Sequence, residues 1–230
     1  MTKEKKQTTE TSVEALENAL TRTEQYIEAN QKSLTIIVIA VVAIVGAYLG
    51  YKRLYLGPKE IEAQSQIFAA EQYFEKDSFN LALNGDGNYL GLLDIIDKYG
   101  PTRTANLANY YAGISYRELG QYEEALSYLK KFDAGDEMVT PEALGAMGDC
   151  YVELNNLTKG VKYYQKAAEY SDNDFTTPLF LKKAAEIYIE LKAYDKALTN
   201  FEKIKKEYPK STESRDADKD IARLKTLQSL

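Results

Sequence analysis

The chain contains no histidine and only one cysteine, Cys150, in 230 residues. Without an imidazole, no Ser-His-Asp or Cys-His nucleophile pair and no His-containing zinc site can be assembled within it. A lone cysteine cannot close an intramolecular disulfide, which leaves the redox compartment open. Positive charge is also short, with 29 Lys and Arg against 35 Asp and Glu. The deficit is uneven: residues 1–59 carry 8 basic and 6 acidic side chains, whereas residues 60–230 carry 21 and 29. The larger part is therefore acidic, repels polyphosphate, and is expected to have no nucleic-acid partner. Carboxylate clusters offer no replacement chemistry. Asp216, Asp218 and Asp220 lie beside Lys219 and Arg223 and read as a solvated helix face. The turn Asn84-Gly85-Asp86-Gly87-Asn88 has Ile95 at the twelfth position, where a calcium loop needs a bidentate Glu. No catalytic residue, metal or cofactor is expected, and the chain reads as a binding protein, not an enzyme.

One uncharged, apolar run stands out. Leu34 to Tyr51 spans eighteen residues without a charge, bounded by Lys32 and by Lys52 with Arg53. Its ten Leu, Ile and Val residues contribute roughly −3 to −6 kcal/mol toward membrane insertion, at about −0.3 to −0.6 each. A polar face, which a buried core helix would show, is missing. The run follows 33 mixed-charge residues, so it reads as an uncleaved signal anchor over residues 34–51. Flanking charges do not decide its orientation. Gly46 and Gly50 form a G-x-x-x-G pair on which another membrane helix could dock.

Ahead of this run, residues 1–33 form a polar tail. It holds a capping box, Thr11-Ser12-Val13-Glu14, and an apolar stripe of Val13, Leu16, Leu20 and Ile27 on a short helix. Beyond the run, Gly57-Pro58 is expected to break the helix. A helix over residues 59–74 follows, with Ile61, Phe68, Tyr73 and Phe74 as its apolar side, then a helix over 89–98 ended by Gly100-Pro101.

From Ala105 the sequence repeats. Gly113, Tyr116, Gly120, Ala125 and Leu129 return 35 residues later as Gly148, Tyr151, Asn155, Gly160 and Tyr164, and 37 beyond those as Ala185, Tyr188, Lys192, Ala197 and Phe201. Small residues at the first and fourth places let two antiparallel helices cross closely, and the tyrosines fill the space beside the crossing. The pattern resembles the tetratricopeptide repeat. That resemblance implies an all-α chain, in which a single N-terminal transmembrane helix is followed by a right-handed tetratricopeptide-repeat α-solenoid. The expected units are a divergent first repeat at 59–101, repeats at 105–138, 141–173 and 178–210, and a capping helix at 211–230.

In that family the first helix of each pair lines the concave face. This assigns to it Leu107, Tyr110, Ile114 and Arg117, then Asp149, Val152 and Glu153, then Leu179, Lys182, Glu186 and Ile189. The acidic members would repel the acidic chaperone tails that some such domains clamp. A mixed apolar and acidic groove suits a helix or extended segment with apolar anchors and basic neighbours.

Taken whole, the arrangement resembles the YfgM-type ancillary subunits of the bacterial Sec translocon. Segments such as Tyr110-Tyr111-Ala112-Gly113-Ile114, Phe175-Thr176-Thr177-Pro178 and Tyr208-Pro209 look like a form common among Bacteroidota. The resemblance implies an inner-membrane protein with a cytoplasmic N-terminus and periplasmic repeats. It further implies partnership with SecYEG, with a PpiD-type membrane-anchored chaperone, and with unfolded clients. A scaffold for another envelope assembly is the competing expectation.

Overall fold

A computed structural model describes residues 26–133 and 135–228. The expected capping box and most of the apolar stripe in the tail lie outside them. Every regular element among the described residues is helical. The chain divides at Gly57 into two compact units.

The first unit holds α1 (Gln31–Gly50), no residue of which is buried. Twenty residues rising about 1.5 Å each span about 30 Å, the thickness of a bilayer's hydrocarbon core. It is the one described helix long and apolar enough to cross a membrane. A π-helical stretch, Tyr51–Leu56, follows, with Tyr51 stacked on Tyr55. The break expected at Gly57-Pro58 is absent: Gly57 keeps helical angles and its N–H donates to the Lys52 carbonyl, five residues back. Widening the turn there is what admits Pro58, whose ring would clash with the carbonyl four residues earlier in an α-helix.

The second unit is a stack of helical pairs. Its first pair is α2 (Gly57–Glu75) and α4 (Leu92–Tyr99), with the short α3 (Phe79–Asn84) between them. Then come α5 (Arg103–Glu118) with α6 (Tyr122–Leu129), α7 (Val139–Glu153) with α8 (Leu157–Tyr170), and α9 (Thr176–Glu190) with α10 (Tyr194–Glu207). Finally α11 (Ser214–Gln228) packs on α10. Two expectations need correction here. The buried face of α2 is Ala63, Ile67 and Ala70, while Ile61 and Phe68 are 71% and 64% exposed. The second helix starts at Leu92 instead of Tyr89, because residues 85–91 form a loop around Asp86, whose carboxylate accepts from the Asn88 and Tyr89 amides and the Tyr73 hydroxyl.

The turn inside each pair is the same. Asp77, Gly120, Asn155 and Lys192 all adopt left-handed backbone angles, with φ from 54° to 73°. The next amide, on Ser78, Gln121, Asn156 and Ala193, donates to the carbonyl of Tyr73, Tyr116, Tyr151 and Tyr188 respectively. This six-to-one closure satisfies a carbonyl the helix end would orphan and reverses the chain into the next helix, which after Asp77 is the short α3.

Close crossings follow the small residues. A Cβ on Gly148 would lie 2.5 Å from the Tyr164 ring, and one on Gly160 would lie 2.5 Å from Val152 and 3.3 Å from the Gly148 carbonyl. At Gly113 the close partner is Leu129. Two carboxylates of α2 tie this end together, Glu60 joining the first pair to the second and Glu62 closing the first pair on itself. Glu60 caps α5 by accepting from the Arg103 and Thr104 amides, and Glu62 accepts from the Tyr99 hydroxyl. At the other end α11 buries Ala217 and Leu224 and pairs Asp218 with Lys205.

Candidate functional site

Because the first helices of successive pairs lie side by side, polar residues one pair apart can meet across them. Asp149 of α7 is the centre of such a meeting. Its Oδ2 accepts from Arg117 Nη1 of α5 at 3.0 Å, and its Oδ1 accepts from Lys183 Nζ of α9 at 2.7 Å. The Tyr164 hydroxyl of α8 donates to the same Oδ1 at 2.6 Å. Tyr164 reaches it because Gly148 leaves room for the ring. Arg117 also pairs with Glu118. Half-buried and donated to from three helices, Asp149 ties the last three pairs into one register.

The side chains around this cluster form an open cavity of about 270 Å³, lined by Arg117, Glu118, Tyr122, Asp149, Val152, Glu153 and Tyr164. Tyr122 closes one side by donating to Glu153 at 3.4 Å. Burial, then the bond to Asp149, pushes the Tyr164 phenol far above its ordinary range, so it stays protonated and donates to Asp149. Burial also lifts the Glu142 carboxyl, and Lys183 pulls it partly back. The Cys150 thiol, buried behind this surface, is pushed up to about 11, mainly by burial, and is inert at neutral pH.

Four of the residues assigned from the sequence therefore share one cavity: Arg117, Asp149, Val152 and Glu153. Leu107 is half-buried, and Tyr110 packs its ring against Tyr111 and Phe132. Ile114 is buried in the core with Leu129 and Met147, so it offers no surface. Leu179 and Ile189 are half-buried against the core of the last two pairs, Lys182 is half-buried, and Glu186 is exposed. Lys183, Tyr164 and Tyr122 belong to the cluster or its cavity, although the repeat spacing does not assign them there. Lys183 lies one residue from the assigned Lys182, and Tyr164 and Tyr122 come from second helices, which family geometry leaves off the concave face. The adjacency of Gly148 and Asp149 is the sequence signal that points to Tyr164. In the first unit, Gly46 and Gly50 each have open space where a Cβ would be. Among the described residues no group of His, Cys, Asp and Glu is arranged to hold a metal.

Comparison with known proteins agrees with this geometry. A family profile described as Tetratricopeptide repeat matches residues 107–133 and 183–211, and a second of the same description matches residues 141–174. The chain is similar to Protein FLUORESCENT IN BLUE LIGHT, chloroplastic, of Arabidopsis thaliana, with 29% identity over 153 residues. That match takes in 64% of this chain and 45% of the relative, so the chain spans less than half of that relative's length. Its fold is similar to a crystal structure of nearly identical TPR-like repeats from a Podosopora anserina protein assigned as a kinesin light chain. The TM-score is 0.57 at 12% identity, over 73% of this chain and 87% of that one. At that identity the likeness speaks for the fold alone.

Proposed function

We propose that this chain, whose second unit is built of tetratricopeptide repeats, is a membrane-anchored protein–protein interaction module that serves as an ancillary subunit of the Sec translocon. It works by binding, without catalysis. In this reading it sits in the bacterial inner membrane with its N-terminus in the cytoplasm and its repeats in the periplasm. There it associates with SecYEG, with a PpiD-type membrane-anchored chaperone, and with clients emerging from the channel. The observation that carries the reading is the pairing, in one chain, of an apolar helix of membrane length that has no buried residue with a stack of helical pairs that holds an open polar cavity around Asp149. Tethering such a surface beside a channel raises its effective concentration for whatever emerges, with no chemical step required.

Affinity purification in mild detergent, from cells expressing a translocon and a PpiD-type chaperone, tests this. Enrichment of both is expected, and enrichment of neither contradicts the assignment. The anchor has its own test: Gly46→Ile with Gly50→Ile is expected to weaken recovery of SecYEG, because bulk at those positions prevents close helix approach. Unchanged recovery would point instead to a tether for some other envelope assembly.

A further inference from the structure

The hydrogen bonds at the open ends of the helical pairs mark out one edge of the second unit. Glu60 in the first turn of α2 holds the start of α5 through the Arg103 and Thr104 amides. Asn106 exchanges two bonds with the Asp133 backbone. The Ser171 hydroxyl donates to the Glu137 carbonyl, and the Tyr208 hydroxyl donates to Asp172. All these residues lie where first helices begin and second helices end, so the edge that starts at Pro58 runs on to Tyr208. It is also the edge at which chain connectivity attaches the apolar first unit.

Three large apolar side chains stand out from this edge. Ile61 is 71%, Met138 is 46% and Phe175 is 74% exposed. The latter two occupy the same place in two like-built loops. Asp136 accepts from the Met138 and Val139 amides, and Asn173 accepts from the Phe175 and Thr176 amides. In each loop the capping residue's own amide donates to a threonine hydroxyl four residues on, Thr140 or Thr177, ahead of Pro141 or Pro178. Rigid turns thus hold Met138 and Phe175 out into the surroundings.

We infer that this edge rests on the bilayer in which the chain is anchored, with Met138 and Phe175 inserted among the lipid headgroups and Ile61 beside them. The inference rests on the anchoring half of the proposed function. Separate apolar tips on convex loops, with polar residues between them, suit a partner that deforms to meet each one. A protein partner would need pockets at matching spacing, whereas a lipid interface does not. The loops also carry Asp136, Glu137, Asp172 and Asp174. These acids favour a zwitterionic bilayer, whose outermost charge is cationic, over an anionic one. Two or three side chains would bind a free domain weakly, but attachment through Pro58 makes the contact local.

The chain has no tryptophan, so single-tryptophan variants report position directly. Full-length Met138→Trp, Phe175→Trp and, at the opposite edge, Gln121→Trp are reconstituted into phosphatidylcholine vesicles, with or without lipid brominated near the headgroup end of the acyl chain. The expected result is quenching of at least twofold at positions 138 and 175 and little at 121, with unchanged helical circular dichroism. Absence of quenching at 138 and 175, or equal quenching at 121, overturns the inference. So would a tryptophan emission shift that appears only when membrane proteins are added, since a protein would then occupy the edge. Flotation of the vesicles is read in parallel. A chain that fails to float has lost the anchor, and the proposed function fails with it, whereas a chain that floats unquenched removes the edge contact alone.

Discussion

Gly148 carries no side chain because the Tyr164 ring occupies the place a methyl group would take. The ring in turn delivers its hydroxyl to Asp149, so one glycine connects helix packing to the polar cluster. Gly148→Ala is expected to cost about 1–3 kcal/mol, the usual range for overpacking, and to lower the thermal midpoint measured by circular dichroism. Glu142 makes a different prediction. Partial desolvation raises its carboxyl pKa although the residue keeps contact with water, so its charged form opposes folding slightly. That penalty is present above the raised pKa and fades as pH falls through it, since the folded state then binds its proton more readily than the unfolded chain. Glu142→Gln should therefore raise the thermal midpoint near neutral pH. The gain should shrink toward zero on acidification below the ordinary carboxylate range.

Between helices, the repeated turn fixes each pair's geometry, yet its key position is held by Asp77, Gly120, Asn155 and Lys192 in turn. Only glycine takes left-handed angles without strain, and Lys192 has no side-chain oxygen to offset it. Lys192→Gly relieves that strain but adds freedom to the unfolded chain. A net gain of about 0.5–1 kcal/mol, or roughly 2 °C in the midpoint, is expected for a unit of this size. The spacing of Gly113, Tyr116 and Gly120 and their later counterparts makes this architecture legible in the sequence alone. Three elements are not legible there, each for a physical reason. The six-residue α3 is too short to show a helical period. The π-helical turn before Pro58 has no composition signal of its own. The buried face of α2 uses two alanines and one isoleucine, so ranking positions by size places Ile61 and Phe68 inside, although the crossing there admits only small residues. Of the polar cluster, the register from Arg117 to Asp149 is readable from the repeat. Lys183 is not, because a one-residue change on a helix rotates a side chain by about 100°.

Across the whole molecule, polar and apolar devices are segregated by unit. All described ion pairs lie in the repeats, and the apolar helix stands without a buried residue. The C-terminal end of the stack is covered by α11, through Leu224 in the core and the bond from Gln228 to Asp195. Two surfaces of the second unit remain as candidate contact sites, the polar cavity around Asp149 and the edge that begins at Pro58. In the proposed function, both act on a chain that lipid retains. Extraction of membranes from expressing cells with alkaline carbonate measures this most directly: the full-length chain should stay in the pellet with integral proteins, and its release into the supernatant would contradict the account.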